Sequence, residues 1–417
     1  MSSYLPPPGT SDIFPDEIPR WNFIESIARK TFSLYGYGEI RTPVFEYSEV
    51  FKKSIGQETE VVQKEMYSFE DRGGRELTLR PEGTAGVMRA LMETDAPNGV
   101  ETRVWYLGPM FRGERPAAGR KRQFHQVGVE NVGKTSPEHD VESISMLMHF
   151  LEELKISDSK LLINTRGAQE DKVPAEKALR DYFSSHIDKM CKDCKERFNK
   201  NIWRILDCKM PECQESIRLS PDVKDFFTTS SKDYFKKVTE LLTKQGISYE
   251  IDNRLVRGLD YYQHTVFEVT HSGLGAQNAI AGGGRYSIAV PGSSKSISGV
   301  GFAAGVERLI MVQDSLNAKL PILKDDFIFI ASLGENAREK NFLLASELRK
   351  NGLNVLMELE ARSMKAQMRS ADKDHVSKVL IRGDDEISKN TVIIKDMKSG
   401  NQTEVAYSEI VKYLKLS

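Results

Sequence analysis

The chain has 417 residues, of which 39% are hydrophobic and 29% are charged, and its formal net charge is −1. This composition is typical of a globular protein of several domains and excludes a disordered or fibrous chain. The sequence has no apolar run of the ~18 residues needed to cross a membrane and no secretory signal at its start, so we expect a cytoplasmic protein with no membrane partner. Because the charges nearly balance, any contact with nucleic acid must depend on local basic patches.

The first part of the chain combines two long helices with a series of short strands. Residues 17–35 place apolar side chains at helical spacing and are followed by Gly36, which is typical of an amphipathic helix and its end. A second helix is predicted over 137–154, with Ser136 as its cap and Pro137 at its first position. Strands are predicted at 39–43, 65–70, 75–80, 103–111, 123–131 and 161–165. Successive strands without long helices between them indicate an antiparallel sheet.

The middle of the chain changes character. Residues 170–232 are highly charged, contain every cysteine and interrupt the strand pattern, so we interpret them as a small helical insertion. The strand pattern then resumes, and a helix is predicted from Ala304. The further strands are predicted at 248–252, 264–270 and 297–302.

A linker at 317–321 precedes a βαβαβ pattern, which predicts a small domain with a mostly parallel sheet. Its predicted elements are strand 326–332, helix 336–350, strand 353–358, helix 363–372, strand 377–382, a hairpin at 391–407 and a last helix. The predicted domains are therefore a main domain formed by 1–169 and 233–322, the insertion 170–232, and a C-terminal domain 325–417.

An arginine-rich loop joins two of the predicted strands. Arg112 stands at the end of the first strand, and Arg115, Arg120 and Arg122 follow in the loop before the strand that begins at Gln123. The planar guanidinium group suits phosphate oxygens, so two strands joined by such a loop are suited to hold a triphosphate. A solvated hairpin with surface charge is the alternative interpretation.

A glycine-rich strand runs into a helix at residues 299–309, and Arg308 falls in the first turns of that helix. Its small residues permit the close approach of a ligand. Gly299, Gly301 and Ala304 also satisfy the loose dinucleotide-binding fingerprint. That fingerprint should open a parallel domain, whereas this segment closes a largely antiparallel one, which disfavours an oxidoreductase.

Taken together, these segments resemble the three signature motifs of class II aminoacyl-tRNA synthetases. The helix and strand ending at Pro43 resemble motif 1, residues 111–130 resemble motif 2, and residues 299–309 resemble motif 3. Two peptides narrow the resemblance to the histidyl-tRNA synthetase family, namely 255–262 (LVRGLDYY) and 281–286 (AGGGRY), although Ser287 stands where that family commonly has Asp. The segments 8–12 and 79–84 also match, so the resemblance covers essentially the whole chain.

The resemblance implies an α+β fold. It consists of a class II catalytic domain with an antiparallel sheet and flanking helices, a small helical insertion and a C-terminal α/β anticodon-binding domain. It also implies a homodimer that uses ATP with Mg²⁺, L-histidine and tRNA(His) as a histidine–tRNA ligase. Histidyl-adenylate would form with release of diphosphate, and the histidine would pass to the 3′ end of the tRNA with production of AMP.

The resemblance also assigns residues. Arg112 and Arg257 are expected to act at the α-phosphate as catalytic and ATP-binding groups, with Arg308 on the γ-phosphate. Histidine would be bound by Glu82, Gly83, Thr84, Gln126, Glu130, Tyr261 and Tyr262. Contacts to tRNA are expected from Arg115, Arg120 and Arg122 in the loop, and from Arg338, Lys340, Arg362, Lys365 and Arg369 in the C-terminal domain. For Arg112, Arg257 and Arg308 a structural salt bridge is the alternative, and for the C-terminal residues it is a charged, solvated helix face.

Two groups of residues keep open interpretations. Cys191 and Cys194 have zinc-knuckle spacing, but the spacing of Cys208 and Cys213 is looser. A structural zinc site and a set of partly buried free thiols are therefore both possible interpretations, and we assign no metal ligand. His125 is either catalytic or an ordinary strand residue.

Two further functions stay as alternatives. A paralogous regulatory subunit of ATP phosphoribosyltransferase would lack the C-terminal domain and parts of the catalytic peptides, both of which this chain has. A class II synthetase for another amino acid would lack the 255–262 peptide.

Overall fold

The computed structural model describes residues 4–56, 59, 61–256, 261–275, 278–289, 296–321 and 326–416. The chain divides into two compact units, Met1–Ile322 with an eight-stranded and a three-stranded sheet, and Leu323–Ser417 with a five-stranded sheet, and each unit has its own core. Over the residues described, helices are too short or too polar to cross a bilayer.

The first unit contains nine α-helices and eleven strands among its described residues. The helices are α1 (Ile18–Leu34), α2 (Ser48–Ile55), α3 (Thr84–Leu91), α4 (Pro137–Glu153), α5 (Lys172–Phe183), α6 (Lys192–Lys200), α7 (Pro211–Arg218), α8 (Thr229–Lys244) and α9 (Val306–Ser315). The strands are β1 (Gly38–Glu39), β2 (Phe45–Tyr47), β3 (Tyr67–Glu70), β4 (Glu76–Leu79), β5 (Thr102–Phe111), β6 (Gln123–Val132), β7 (Lys160–Thr165), β8 (Glu250–Ile251), β9 (Tyr262–Thr270), β10 (Ala279–Ala289) and β11 (Ser296–Gly305).

Eight of these strands form one sheet in the order β1-β5-β6-β11-β10-β9-β7-β8. The six central strands are antiparallel, and only the short edge strands β1 and β8 pair in parallel. The predicted antiparallel sheet is therefore confirmed. The dinucleotide-binding alternative is wrong, because residues 299–304 lie inside β11 between two antiparallel neighbours.

The two faces of this sheet have different roles. Side chains alternate along a strand, so Trp105, Val127 and Val129 point to a core that they share with α1, α4, α8 and α9. Their neighbours in sequence point to the opposite face, where α3 and a group of tyrosines pack. The candidate site lies on that second face.

Three local predictions need correction. Of the strand predicted at 39–43, only Glu39 lies in the observed strand β1, and pairing ends after the N–H of Ile40 donates to the carbonyl of Trp105. Pro43 offers no N–H, and the carbonyl of Thr42 accepts a hydrogen bond from Arg80 instead. Ser136 occupies the cap position of α4, but its hydroxyl contacts Nδ1 of His139 at 2.8 Å rather than the helix backbone. Helix α9 begins at Val306, since β11 continues to Gly305.

The predicted helical insertion contains α5, α6 and α7, connected by short 3₁₀ turns. Its apolar side chains form a separate cluster that includes Leu179, Phe183 and Trp203 and three of the cysteines. The boundary predicted at 232 falls inside α8, whose later residues belong to the main core.

The second unit contains strands β12 (Phe327–Leu333), β13 (Asn354–Met357), β14 (Lys378–Gly383), β15 (Thr391–Asp396) and β16 (Gln402–Ala406). Its helices are α10 (Glu335–Lys350), α11 (Met364–Lys373), α12 (Asp384–Lys389) and α13 (Ile410–Leu416). The sheet order is β13-β12-β14-β15-β16, with the first three strands parallel and the last two forming an antiparallel hairpin. This agrees with the predicted βαβαβ pattern and hairpin.

Candidate active site

Two buried carboxyl groups lie at the centre of the second sheet face. Glu82 precedes α3 and accepts hydrogen bonds from the backbone N–H groups of Thr84 and Ala85, each at 2.7 Å. Glu130 lies on β6 and accepts from the Thr84 hydroxyl and the Tyr286 hydroxyl, also at 2.7 Å. Thr84 therefore links the two carboxyl groups, which are 4% and 1% exposed.

The electrostatic state of this pair follows from its burial. The pKa of Glu130 is raised to about 8, mainly because the group is removed from water; the hydrogen bonds from Thr84 and Tyr286 lower it, and the nearby charge of Glu82 raises it. Burial likewise raises the pKa of Glu82, while its backbone hydrogen bonds and Arg112 lower it. Two such groups side by side favour a ligand that brings positive charge.

Glycines on the neighbouring strand make room for these side chains. Gly301 pairs with Glu130 across the β6–β11 ladder, and a Cβ there would lie 2.2 Å from Oε2 of Glu130. A Cβ at Gly299 would lie 2.5 Å from the Tyr286 hydroxyl oxygen. The glycine pattern of 299–301 thus allows a carboxylate and a phenol to lie flat against β11.

The other predicted histidine-binding residues lie on the same face. A Cβ at Gly83 would lie 2.2 Å from the ring of Tyr106, so this position requires glycine. The Oε1 atom of Gln126 is buried and has no hydrogen-bond partner in the described part of the chain. The rings of Tyr261 and Tyr262 are buried, with centroids 4.8 Å apart, and Tyr261 also packs against Tyr286.

Arg112 provides positive charge beside Glu82, and Arg308 on α9 is a second arginine within electrostatic range of Arg112. Nε of Arg112 donates to the carbonyl of Pro81 at 2.9 Å, next to Glu82. Arg308 donates from Nε to the carbonyl of Gly119 at 2.9 Å and from Nη1 to that of Ala279 at 2.5 Å. Burial, and then the positive charges of Arg120 and Arg112, lower the pKa of Arg308, so the local field favours an anion.

The arginine-rich loop is positioned against the start of the chain. Arg122 donates from its backbone N–H to the carbonyl of Gly9 at 2.8 Å, and its side chain packs where a Cβ on Gly9 would be. Nη1 of Arg120 lies 3.3 Å from Glu114, and Arg115 is exposed. Arg115 and Arg120 are thus the loop arginines exposed to a large ligand, and Arg122 is partly buried.

Arg257 lies outside the described residues, so its predicted role at the α-phosphate remains a prediction. The described residues that flank it, Val256 and Tyr261, are both buried.

His125 does not share the site face. Its Nδ1 lies 3.1 Å from Glu307, and its ring packs edge-on against Trp21 on the helix-covered side of the sheet. This follows from the two-residue period of β6, in which Gln126 and Glu130 point the other way. The geometry supports the strand-residue interpretation of His125.

Sequence reasoning missed a second buried network, which holds the site strands together. Arg285 is 0% exposed and donates from Nε to Oδ1 of Asp140 at 2.7 Å. Oδ2 of Asp140 accepts from the hydroxyls of Thr265 and Tyr234. The basic residue within an otherwise apolar strand, 279–289, was the available signal.

The second unit has a polar cavity at the carboxyl ends of its parallel strands. It is lined by Ser332, Gly334, Glu335, Arg338, Glu358, Glu360, Ala361, Arg362 and Gln367. Arg338 and Arg362, which were predicted to contact tRNA, lie on its wall and pair with Glu335 and Glu358 at 3.4 Å. Lys340, Lys365 and Arg369 do not line this cavity.

Chemically, the main site offers acceptors for an ammonium group and an imidazole beside donors for phosphate. Carboxylate and amide oxygens accept from N–H groups, and arginines donate to phosphate oxygens. Such a site is suited to hold an amino acid next to a nucleoside triphosphate.

Comparison with known proteins gives a consistent picture. Residues 9–309 match the family described as Histidyl-tRNA synthetase, and residues 328–416 match the Anticodon binding domain family. The histidine–tRNA ligases of Halothermothrix orenii and a Geobacillus species are each 44% identical to this chain, over 97% and 98% of both partners. The crystal structure of the apo histidyl-tRNA synthetase of Staphylococcus aureus superposes with a TM-score of 0.82 and 32% identity, and covers 99% of both chains.

Proposed function

Because this chain belongs to the histidyl-tRNA synthetase family, we infer that it is a histidine–tRNA ligase. It activates L-histidine with ATP to histidyl-adenylate, with release of diphosphate, and transfers the histidine to the 3′ end of tRNA(His), producing AMP. The observation that supports this most directly is the buried pair Glu82 and Glu130, joined through Thr84 and flanked by Arg112.

Recognition of histidine follows from the chemistry of this pair. The histidine ammonium group takes Glu82, Thr84 and the otherwise unpaired Oε1 of Gln126 as acceptors. Glu130 accepts from an imidazole N–H, and the tyrosines close the pocket around the ring. An amino acid with an apolar side chain would leave Glu130 without its partner, which costs more than the loss of one hydrogen bond.

Activation requires charge stabilisation more than proton transfer. The histidine carboxylate attacks the α-phosphorus of ATP, and the bond to diphosphate breaks. Arg112 lies nearest the amino-acid pocket and holds the α-phosphate oxygens, while Arg308 holds the distal phosphates. Arg257 is proposed as a further ligand of the α-phosphate. Fixed guanidinium groups stabilise the charge that develops there without reorganising.

Magnesium is proposed as the companion of ATP. The negative charges of Glu114 and Glu268 act on Arg308 and raise its pKa. Their carboxylate oxygens are hard donors of the kind that Mg²⁺ binds. Its role would be to offset triphosphate charge.

The tRNA is proposed to contact both units. Arg115, Arg120 and Arg122 extend from the loop beside the site and would bind backbone phosphates near the acceptor end. The C-terminal unit would bind the anticodon region, with Arg338 and Arg362 as the best-placed cations. The match of residues 328–416 to an anticodon-binding family favours the ligase over a regulatory subunit without that domain.

We also propose a homodimer. The small sheet formed by β2, β4 and β3 leaves Phe45, Tyr47, Tyr67 and Phe69 about half exposed on its two outer strands. An aromatic patch of this kind is typical of a protein–protein interface. A cytoplasmic location is proposed because charged tRNA is consumed there.

The decisive experiment is ATP–diphosphate exchange with each of the twenty amino acids in turn, followed by charging of tRNA(His). Exchange with L-histidine alone is expected. Exchange with a different amino acid would show that the substrate is not histidine. Exchange with none of the twenty would favour a non-catalytic paralogue.

A further inference from the structure

The four cysteines of the chain converge in the insertion. Their sulfur atoms all lie within 4.8 Å of one another, although they span residues 191 to 213. Cys194, Cys208 and Cys213 are buried, and Cys191 is partly exposed. Two short helices and a turn contribute to the cluster, so no single element accounts for it.

We propose that Cys191, Cys194, Cys208 and Cys213 bind one structural zinc ion through four thiolates. The Sγ atoms of Cys191 and Cys208 are 3.7 Å apart. In a tetrahedral site with Zn–S bonds of ~2.3 Å, neighbouring sulfurs are ~3.8 Å apart. A disulfide needs sulfurs ~2.05 Å apart, so the observed spacing suits a shared central ion better than a bond.

The surroundings stabilise thiolate charge. The backbone N–H of Cys191 donates to the sulfur of Cys213 at 3.3 Å, and that of Met210 donates to Cys208 at 3.5 Å. Cys191 and Cys194 stand at the start of α6, where the helix dipole favours negative charge. Lys192, Lys195 and Lys209 are exposed neighbours that offset the net negative charge of a tetrathiolate zinc site.

The fold gives a reason for such a site. The insertion has a small apolar cluster of its own, and α6 and α7 are short helices joined by irregular segments. Domains of this size are commonly stabilised by a metal or by disulfides. Zinc would join the start of α6, the turn at Cys208 and the first turn of α7 at one point.

Metal analysis of the full chain, purified without chelators and without an affinity tag that binds metal, tests the proposal. One zinc per chain is expected. After replacement by Co²⁺, the protein should show thiolate charge-transfer bands and the strong d–d absorption of a tetrahedral sulfur site. Both readouts are independent of aminoacylation activity.

Substitutions test whether zinc binding depends on the cysteine sulfurs rather than on other residues of the insertion. Cys208→Ser should lose the zinc, while Cys208→His should retain it with an altered Co²⁺ spectrum, because imidazole is also a zinc ligand. Lys200→Ala is the control, since this exposed residue of the insertion supplies no sulfur, and the variant should keep one zinc per chain.

Two results would overturn the proposal without depending on any variant. One is wild-type protein that stays free of zinc after incubation with the ion and removal of the excess, with all four thiols reacting rapidly in the native state. The other is stoichiometric iron in place of zinc.

Discussion

The hydroxyl of Tyr286 lies 2.7 Å from Oε2 of Glu130, although 156 positions separate the two residues in the sequence. Tyr286 belongs to the 281–286 peptide and Glu130 to the strand of motif 2, so the contact joins two segments that the sequence presents as separate signals. Thr84 donates to the other oxygen of Glu130, which fixes the carboxyl group from both sides. Glu130 is therefore oriented before histidine arrives, and this arrangement leads to the first predictions.

Glu130→Gln should weaken histidine binding by about 10- to 100-fold, since a hydrogen bond to a charged group contributes roughly 1.5–3 kcal/mol. The amide keeps the volume of the side chain but cannot take up the negative charge that the Glu130 carboxyl group assumes when an imidazole N–H binds. Isothermal titration calorimetry measures histidine and ATP binding separately, and ATP affinity should stay near the wild-type value. Glu138→Gln, at an exposed site, is the control. Equal losses for both ligands would contradict the assignment.

The stability of the ligand-free protein should fall as pH rises from about 4.5 to about 8 through the contribution of Glu130. Burial raises the pKa of Glu130 in the folded state, so in this range the unfolded chain binds fewer protons than the folded one. The slope is at most about 1.4 kcal/mol per pH unit for one group. Urea unfolding of wild type and Glu130→Gln across this range isolates the effect as their difference. A pH-independent difference would show that Glu130 titrates normally.

Arg308→Lys should raise the KM for ATP in the exchange reaction by about tenfold or more and leave the KM for histidine nearly unchanged. Arg308 makes hydrogen bonds through both Nε and Nη1, which orient its remaining N–H groups, and an ammonium group does not reproduce this fork. Arg254→Lys, at an exposed site, is the matched control. An unchanged KM for ATP would remove Arg308 from the nucleotide site.

The sequence predicted much of this fold because several signals agreed. The 3.6-residue period of 17–35 and 137–154 and the capping residues around them identified α1 and α4 nearly to their ends. Strand β10 was missed because Gly282, Gly283 and Gly284 have no β-propensity. Glycine is required here because the strands pack closely. A Cβ at Gly283 would lie 2.1 Å from the carbonyl oxygen of Gly301, which leaves no space for a larger residue.

The residues of the candidate site could be predicted from the sequence, but their contacts in space could not. Family resemblance named Glu82, Glu130 and Arg308; the structure joins Glu82 and Glu130 through Thr84, and it places Arg308 on α9 with hydrogen bonds to the carbonyls of Gly119 and Ala279. Periodicity could not show that Tyr286 completes the carboxyl site, since that depends on the register between β10 and β11. The pairing of Asp140 with Arg285 was equally hidden, because contacts between distant segments leave no local pattern.

Gly301→Ala should impair histidine binding even though residue 301 contacts no ligand in the proposed site. The added Cβ would lie 2.2 Å from Oε2 of Glu130 and 2.2 Å from the carbonyl of Val129, so Glu130 must move. Gly38→Ala is a suitable control, because a Cβ there meets nothing within 4 Å. Histidine titration and thermal unfolding of both variants check the prediction. Wild-type affinity in a folded Gly301→Ala protein would argue against a fixed Glu130.

Asp140→Asn should lower the free energy of unfolding by about 3–5 kcal/mol, because removing one charge of a buried ion pair leaves the other uncompensated. Both side chains of the Asp140–Arg285 pair are 0% exposed, and Asp140 also accepts from Thr265 and Tyr234. Glu49→Gln breaks the exposed pair with Lys53 and should have little effect on the free energy of unfolding. Urea unfolding of both variants makes the comparison. Similar small losses in the two variants would mean that the buried network adds little to the stability of the site strands. A large loss confined to Asp140→Asn would identify the Asp140–Arg285 pair as the contact that holds β9 and β10 against α4.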